Sequence, residues 1–218
     1  MVHNLGEFNS IFNQYIAEIR DIKVQGDMLR FRRNLERIGA LMAYEISKDL
    51  AFKEEDIQTP LGIAKVPILK SNIVLATILR AGVPFHQGML NIFDKAESAF
   101  ISAYRKHNKD GTFKIKLEYM AKPDLKDKIL ILSDPMLATG ASMKLAYEAI
   151  IQDGKPKHTY LASVIASAEG IEYVKKNFDK KDVSIWVGAI DDELTAQAYI
   201  VPGLGDAGDL AYGKKEDK

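Results

Sequence analysis

The residues best suited to chemistry lie in the middle of the chain, between an apolar run and a segment with helical spacing. Residues 129–133 are Ile-Leu-Ile-Leu-Ser, the composition of a buried strand, and Asp134 follows directly. The loop after it contains many small or hydroxyl-bearing residues: Pro135, Met136, Leu137, Ala138, Thr139, Gly140, Ala141 and Ser142. Backbone N–H groups in such a loop, and at the N-terminus of a following helix, favour bound anions. The pattern predicts a site for a phosphorylated ligand, whereas a plain turn with a helix cap is the simpler alternative.

Two arginines also follow predicted strands. Arg80 comes directly after the apolar run at residues 73–79, and Arg105 ends the alternating segment at residues 97–104. A guanidinium stays charged and forks onto phosphoryl oxygens, so two such groups can stabilise a departing pyrophosphate. The alternative for each arginine is a solvated charge at the end of a strand.

Glycine and aspartate are concentrated near the C-terminus. Residues 199–209 are Tyr-Ile-Val-Pro-Gly-Leu-Gly-Asp-Ala-Gly-Asp, with three glycines in six residues, a composition that argues against a helix or a central strand. A glycine-rich loop lets backbone amides approach a flat ligand closely. The alternative is a solvated cluster of turns.

The elements that must position these residues alternate between strands and helices. We predict strands at residues 73–79, 97–104, 128–132, 159–166 and 183–190, and helices at residues 28–50, 84–93, 141–152 and 168–177. Continuous apolar strands that alternate with helices favour an α/β fold, a mostly parallel central sheet with helices on both faces. Residues 112–120 would return as a hairpin arm after a polar turn at residues 105–111 and form a small flap. All three motifs fall at carboxyl ends of strands, where such sheets bind ligands.

Composition excludes several classes of function. The 218 residues are expected to form a single domain in which residues 1–50 are an N-terminal helical segment. Thirty basic and thirty acidic residues cancel, which gives no support to a nucleic-acid or membrane-surface protein. The chain has no cysteine, so disulfides, thiolate nucleophiles and Cys-ligated zinc are excluded. Without a signal-peptide pattern or a membrane-length apolar stretch, we expect a cytoplasmic location.

Taken together and in this order, the motifs resemble those of the type I phosphoribosyltransferases, and their wording is closest to the uracil branch. The matching segments are Asp-Pro-Met-Leu-Ala-Thr-Gly at 134–140, Leu-Arg-Ala-Gly at 79–82, Tyr-Arg at 104–105 and Pro-Gly-Leu-Gly-Asp-Ala-Gly-Asp at 202–209. The resemblance implies transfer of a phosphoribosyl group from phosphoribosyl pyrophosphate (PRPP) to uracil, giving UMP and pyrophosphate.

Carried over position by position, the resemblance also assigns the site. It implies that Arg80, Arg105 and the loop from Asp134 to Ser142 bind PRPP, and that residues 199–213 form the base-binding loop. Ile200, Gly205, Asp206 and Ala207 would hold uracil through main-chain atoms. Asp206 would also reach PRPP near its Mg²⁺, and Arg105 and Asp206 are the expected catalytic residues.

A backbone edge of N–H, C=O and N–H would match the hydrogen-bonding edge of uracil, which offers one N–H between two carbonyls. Cytosine would mismatch that edge, and each unpaired buried group would cost about 1–3 kcal/mol.

The resemblance further implies a cofactor and partners. Mg²⁺ is expected to be bound mainly through PRPP and water, without a dense carboxylate cage. We expect a homo-oligomer, either a dimer or a tetramer, and some members of the family respond to a purine nucleotide such as GTP.

The sequence departs from the family pattern at two places. Ala141 replaces a usual glycine, which requires an ordinary negative φ there, as in the first turn of a helix. Residues 83–87 lack the acid that many members carry, and we interpret His86 as structural. Ser167 and Glu169, in a further matching segment before a predicted helix, are likewise assigned to structure, with Ser167 as N-cap.

Two other functions remain open at this stage. A phosphoribosyltransferase for another base, such as a purine, would share the Asp134 loop but not the residues 205–207. A nucleotide-sensing regulator that binds RNA on the same scaffold would require a basic face, which the zero net charge does not favour.

Overall fold

The structure is a computed structural model that describes residues 1–107 and 113–216, without the side chains of residues 103–116. Most of the predicted polar turn at residues 105–111, like the side chain of Arg105, therefore lies outside the described residues. The helices are α1 (Ile11–Arg20), α2 (Met28–Ser47), α3 (Gly82–Leu90), α4 (Ala141–Ile150), α5 (Ala168–Asn177) and α6 (Ala207–Tyr212), with a short 3₁₀ helix at Leu5–Glu7. The strands are β1 (Val2–Asn4), β2 (Phe52–Thr59), β3 (Gly62–Leu69), β4 (Ile73–Leu79), β5 (Glu97–His107), β6 (Phe113–Ala121), β7 (Ile129–Ser133), β8 (Met136–Leu137), β9 (His158–Ser167), β10 (Val183–Asp191), β11 (Glu193–Leu194) and β12 (Ile200–Val201).

The central sheet is mostly parallel, which confirms the predicted fold class. Its strands lie in the order β1-β10-β9-β7-β4-β5-β6, and the short β8 adds a parallel pair to β9. Within this sheet β5 and β6 pair in the antiparallel direction, as predicted for the hairpin at this edge. β4 and α5 have the predicted bounds, and the other predicted strands and helices differ by a few residues at their ends.

Helices cover both faces of the sheet because successive strand residues point to opposite sides. On β4, Leu75 belongs to a core shared with α1, α2 and α3, whereas Val74 belongs to a core shared with α4 and α5. β7 alternates in the same way, with Ile131 in the first core and Leu130 in the second. The carboxyl edge of the sheet is thus held between two packed helical layers.

The N-terminal part of the chain differs from the expectation of a helical segment at residues 1–50. It contains α1 and α2, but it begins with β1, which pairs in parallel with β10 through Val2–Ile185 and Asn4–Val187. β2 and β3 were not predicted, and they form a separate antiparallel hairpin joined at residues 60–61. In the part of the chain that the structure describes, no helix is long and apolar enough to cross a membrane.

Candidate active site

The predicted site residues follow strands that are neighbours in the sheet. β4 pairs with β7 as far as Thr77 and Ser133, so Arg80 and Asp134 leave adjacent strands at the same edge. β5 lies on the other side of β4, which brings the backbone of Arg105 towards this edge as well. Local strand–turn–helix patterns and the parallel register are sufficient to place these residues together.

The loop after β7 has the backbone of an anion-binding loop. Gly140 is the N-cap of α4 with a φ of +78°, and as a glycine it provides no capping side chain. The first N–H groups of a helix lack intrahelical partners, so this end of α4 can donate to an anion. Ala141 is the first residue of α4, which meets the requirement for a helical φ at that position.

A small cleft opens beside this loop. It is lined by Asp134, Met136, Leu137, Ala138, Thr139, Gly140, Ser142 and Met143. The resemblance assigned all of these residues except Met143 to PRPP binding. Pro135 and Ala141 lie outside the lining: the Pro135 carbonyl accepts from the N–H groups of Val164 and Ile165 and so fixes the loop to β9.

The start of α5, which was predicted to have a structural role, supports the loop after β7. Ser167 is the N-cap of α5, as predicted, and accepts from the N–H of Gly170 at 2.8 Å. Its hydroxyl also donates to the Ala138 carbonyl at 2.6 Å. A Cβ on Gly170 would lie 2.2 Å from that same carbonyl oxygen, so the backbones of α5 and the loop are in direct contact. The family motif at residues 166–170 was the available signal, but it gave no hint of this partner.

Arg80 joins the strand end to the C-terminal segment. Its Nη2 donates to Oδ1 of Asp209 at 2.7 Å, and Nη1 donates to the Gly213 carbonyl at 3.2 Å. The arginine side chain is 40% exposed, so the guanidinium stays accessible from solvent. The structure therefore brings Arg80, which is predicted to bind PRPP, into contact with the predicted base-binding segment.

The C-terminal segment corrects one prediction, because residues 207–209 are helical. Asp206 is the N-cap of α6, and its Oδ1 accepts from the N–H of Asp209 at 3.0 Å. The helix packs on α2, with Ala207 and Ala211 buried and Arg32 donating to the Ala211 carbonyl at 2.6 Å. Tertiary contacts thus override the low helix propensity of the glycine-rich sequence.

The Asp206 carboxylate is partly buried yet kept in its charged form. Burial acts to raise its pKa, but the N–H of Asp209, the ammonium of Lys215 and the N–H of Gly208 together lower the pKa below its ordinary value of 3.8. Lys215 Nζ lies 3.3 Å from Oδ2. At neutral pH this group is therefore an anion.

The backbone before Asp206 has a conformation that requires glycine. Gly203 and Gly205 have φ values of +53° and +95°, in the left-handed region that L side chains rarely adopt. A Cβ on Gly203 would lie 2.1 Å from the Ile200 carbonyl oxygen, whereas a Cβ on Gly205 would point into open space. Ile200 itself is buried in β12. The loop therefore presents a bare backbone to an open volume at Gly205.

His86 has the structural role that was predicted for it. It is buried in α3 and its ring lies against Phe100, with 5.2 Å between ring centroids. Burial lowers the pKa of His86, although a hydrogen bond with the Leu75 backbone opposes the shift. The imidazole is therefore neutral at physiological pH and faces the core.

Comparison with known proteins identifies the family. The family model described as uracil phosphoribosyltransferase matches residues 9–214. The chain belongs to the uracil phosphoribosyltransferase family. It is 52% identical over 214 residues to the uracil phosphoribosyltransferase of Porphyromonas gingivalis, covering 98% of this chain and 99% of that protein. The enzyme of that name from Methanothermobacter thermautotrophicus is 38% identical over 203 residues, which is 92% of each chain.

Two solved structures share the fold of this chain. The AQ2163 protein from Aquifex aeolicus superposes with a TM-score of 0.85 at 31% identity and covers 98% of both chains. A hypoxanthine phosphoribosyltransferase from Staphylococcus aureus superposes with a TM-score of 0.50 at 13% identity, over 86% of this chain and 84% of its own. The second likeness concerns the fold alone, and it supports the type I phosphoribosyltransferase architecture.

Proposed function

We infer that this chain is a pentosyltransferase of pyrimidine salvage that transfers the 5-phosphoribosyl group from PRPP to uracil, giving UMP and pyrophosphate. The observation that carries this function is the contact between Arg80 and the α6 segment, within the span matched by the family. It joins the strand edge that carries the anion-binding loop to the glycine-rich loop proposed for the base.

On the donor side, the loop from Asp134 to Ser142 would hold the ribose 5-phosphate, and Asp134 would face the ribose hydroxyls. Arg80 and Arg105 would bind the pyrophosphate. The Arg80 guanidinium now lies on the Asp209 carboxylate at 2.7 Å, and a phosphoryl oxygen is a comparable anionic acceptor. The same fork could thus exchange one acceptor for the other when PRPP binds.

Gly170→Ala is expected to raise the KM for PRPP about tenfold, equivalent to about 1.4 kcal/mol. The added methyl would lie 2.2 Å from the Ala138 carbonyl oxygen and push the loop backbone outward. Steady-state kinetics with varied PRPP measure the effect. Gly154→Ala is the matched control, because its Cβ would be 3.6 Å from the nearest atom, Oδ1 of Asp124. A normal KM in the Gly170 variant would contradict the support role of α5.

On the acceptor side, the backbone from Gly205 to Ala207 would form the N–H, C=O and N–H edge that matches uracil, with Ile200 closing the site through its main chain. Selectivity against cytosine then comes from unpaired polar groups in the wrong complex. The left-handed φ of Gly205 and the open volume beside it support this placement.

The reaction is a displacement at the anomeric carbon of ribose, in which the bond to pyrophosphate oxygen breaks and the bond to N1 of uracil forms. The uracil N1 proton is lost, and the carbon has oxocarbenium character in the transition state. The protein needs to align the nucleophilic nitrogen with that carbon and to stabilise the charge of the leaving group. Arg80, Arg105 and the fixed loops are suited to these two tasks.

Mg²⁺ is proposed as the cofactor that helps neutralise the pyrophosphate. Among the described side chains, no group of three or more His, Asp or Glu residues could hold a metal ion. The ionised Asp206 carboxylate, which also pairs with Lys215, fits a contact through water with an ion held mainly by PRPP. On this proposal Mg²⁺ would enter the site together with PRPP.

One assay tests this function against its rivals. Pyrophosphate release from PRPP would be measured with Mg²⁺ and with each of uracil, cytosine, hypoxanthine and adenine. We expect pyrophosphate release with uracil and not with the other three bases. Release with a purine would favour the alternative base, and RNA binding without PRPP turnover would favour the regulator. The same assay with added GTP tests whether a purine nucleotide activates this chain, as it does some members of the family, and cell fractionation tests the proposed cytoplasmic location.

We also propose that the chain is a homo-oligomer, and the β2–β3 hairpin is the surface that supports this. An isolated two-stranded hairpin is only marginally stable in water. The register places Ile57, Val66 and Ile68 on one face, where all three are exposed. A second copy of the chain packed on that face would cover these side chains.

Val66→Glu is expected to dissociate the oligomer, because it replaces one of the three exposed apolar side chains of this face and places a second carboxylate opposite Glu55, its cross-strand partner. Light scattering after size-exclusion chromatography measures the mass of the particle. Ile63→Glu is the matched control, since the register places Ile63 on the opposite face of the same hairpin. If both variants keep the mass of the wild type, the hairpin face is not the interface.

A further inference from the structure

The proposed base-binding loop is held by a partly buried ion pair that the sequence motifs do not include. Arg20, the last residue of α1, donates to both carboxylate oxygens of Asp191 at 2.8 and 2.9 Å. Asp191 ends β10 and its side chain is only 7% exposed. The fork geometry is the strongest arrangement of these two groups, and it joins the N-terminal helices to the carboxyl edge of the sheet.

The same ion pair forms hydrogen bonds with the backbone of Gly203. Arg20 Nη1 also donates to the Gly203 carbonyl at 3.0 Å, and the Gly203 N–H donates to Asp191 Oδ2 at 2.9 Å. Both backbone polar groups of this residue are therefore satisfied by the ion pair. Because Gly203 has a left-handed φ, it could not take part in a regular ladder, and the side chains supply the partners instead.

Gln25 binds the backbone of the next loop residue, Leu204. Its Nε2 donates to the Leu204 carbonyl at 3.3 Å and to the carbonyls of Ile19 and Arg20 at 3.1 and 3.0 Å. The carbonyls of two successive loop residues, Gly203 and Leu204, are thus fixed by side chains from the α1 end of the chain. The next residue is Gly205, where the proposed base edge begins.

We propose that Arg20, Asp191 and Gln25 are positioning residues that set the backbone edge at residues 205–207 for the pyrimidine base. This inference rests on the proposed function. Both Nη atoms of Arg20 donate to Asp191 or Gly203, and the side chain is 22% exposed against 40% for Arg80, so we assign Arg20 to orienting the loop and not to binding a phosphate. A backbone edge discriminates between bases only while its donors and acceptors are held in place, and the loop has a left-handed glycine on either side of Leu204.

Arg20→Lys tests the positioning role with a small change. Lysine keeps the charge next to Asp191 but cannot donate in a fork to the carboxylate and to the Gly203 carbonyl together. The KM for uracil is expected to rise about tenfold, whereas the KM for PRPP should change less than about twofold. Calorimetric binding of uracil and of PRPP gives the same split without turnover.

Arg30→Lys is the matched control for this change. Arg30 forms an equivalent fork with Glu18, at 2.8 and 2.9 Å, also in the N-terminal helices, but it does not contact the loop. The KM for uracil should be unchanged in this variant. Thermal melting of both variants shows whether loss of a forked hydrogen-bond pair alone lowers stability.

Gln25→Met provides an independent test that leaves the ion pair intact. It removes the donor to Leu204 while keeping a side chain of similar length, and a rise of about threefold in the KM for uracil is expected. If Arg20→Lys does not fold, this variant still decides the question. Unchanged uracil KM in a folded Arg20→Lys or Gln25→Met enzyme, or an equal loss for uracil and PRPP, overturns the positioning role. Absence of uracil-dependent turnover in the wild type would instead overturn the proposed function.

Discussion

Asp206→Asn is expected to reduce kcat by at least about a hundredfold while the melting temperature stays close to that of the wild type. Asparagine caps helices about as well as aspartate, so its side-chain oxygen can still accept from the Asp209 N–H as Oδ1 does now. What the variant loses is the negative charge, which the local hydrogen bonds and Lys215 hold in place at neutral pH by lowering the pKa of Asp206. The charge would act on the donor and its Mg²⁺ during turnover.

Asp27→Asn is the matched control for this prediction. Asp27 is the N-cap of α2 and accepts from the N–H of Arg30 at 3.0 Å, so the same change at another helix start tests the effect of the cap alone. Its kcat should equal that of the wild type. The measurements are single-turnover and steady-state rates together with thermal melting. A near-normal kcat in the Asp206 variant would exclude a catalytic role for this carboxylate.

The sheet and the anion-binding loop could be predicted because their signals are local. The apolar run at 129–133 identifies β7, and a glycine before a helical pattern identifies the turn, which the structure has with Gly140 at a φ of +78°. The sequence predicts that Arg80 and Asp134 lie at the same edge of a parallel sheet, and the structure adds that their strands are neighbours. The fold class followed from the same local signals.

The elements that were missed depend on contacts far apart in the chain. β1 is a strand because it pairs with β10, more than 180 residues later. Residues 207–212 form a helix because Ala207 and Ala211 are buried against α2. The β2–β3 hairpin has exposed side chains on both faces, so its sequence lacks the alternation that marks a half-buried strand.

The supports of the site were missed for the same reason. Arg20 and Asp191 are 171 positions apart, and nothing in the sequence near either residue identifies the other. Ser167 could be recognised as an N-cap from its place before a helix, but its bond to the Ala138 carbonyl links positions 29 apart. Motifs therefore named the residues that would touch the ligands, and the tertiary structure was needed to show which residues hold them.

Gly205→Val is expected to abolish detectable uracil binding while PRPP binding is retained. The Cβ at this position would point into open volume, with nothing described within 4 Å, and that volume is where we place the base. Branched carbons there would stand between the ligand and the backbone edge that is proposed to recognise it. Calorimetric titration with uracil and with PRPP measures the two affinities separately.

Backbone strain must be separated from obstruction, and Gly205→Ala does this. An L side chain at a φ of +95° costs about 1–3 kcal/mol, so both variants should melt roughly 2–12 °C lower than the wild type. The alanine variant carries backbone strain with only a single methyl group and should keep measurable, weakened uracil binding. Because the β-branched valine adds strain of its own at a positive φ, the melting temperature and the PRPP affinity of each variant show how much of its loss of uracil binding comes from a disturbed loop, and a loss confined to uracil reports obstruction beside Gly205. Equal uracil affinity in the valine variant and the wild type would show that the base does not lie against this backbone.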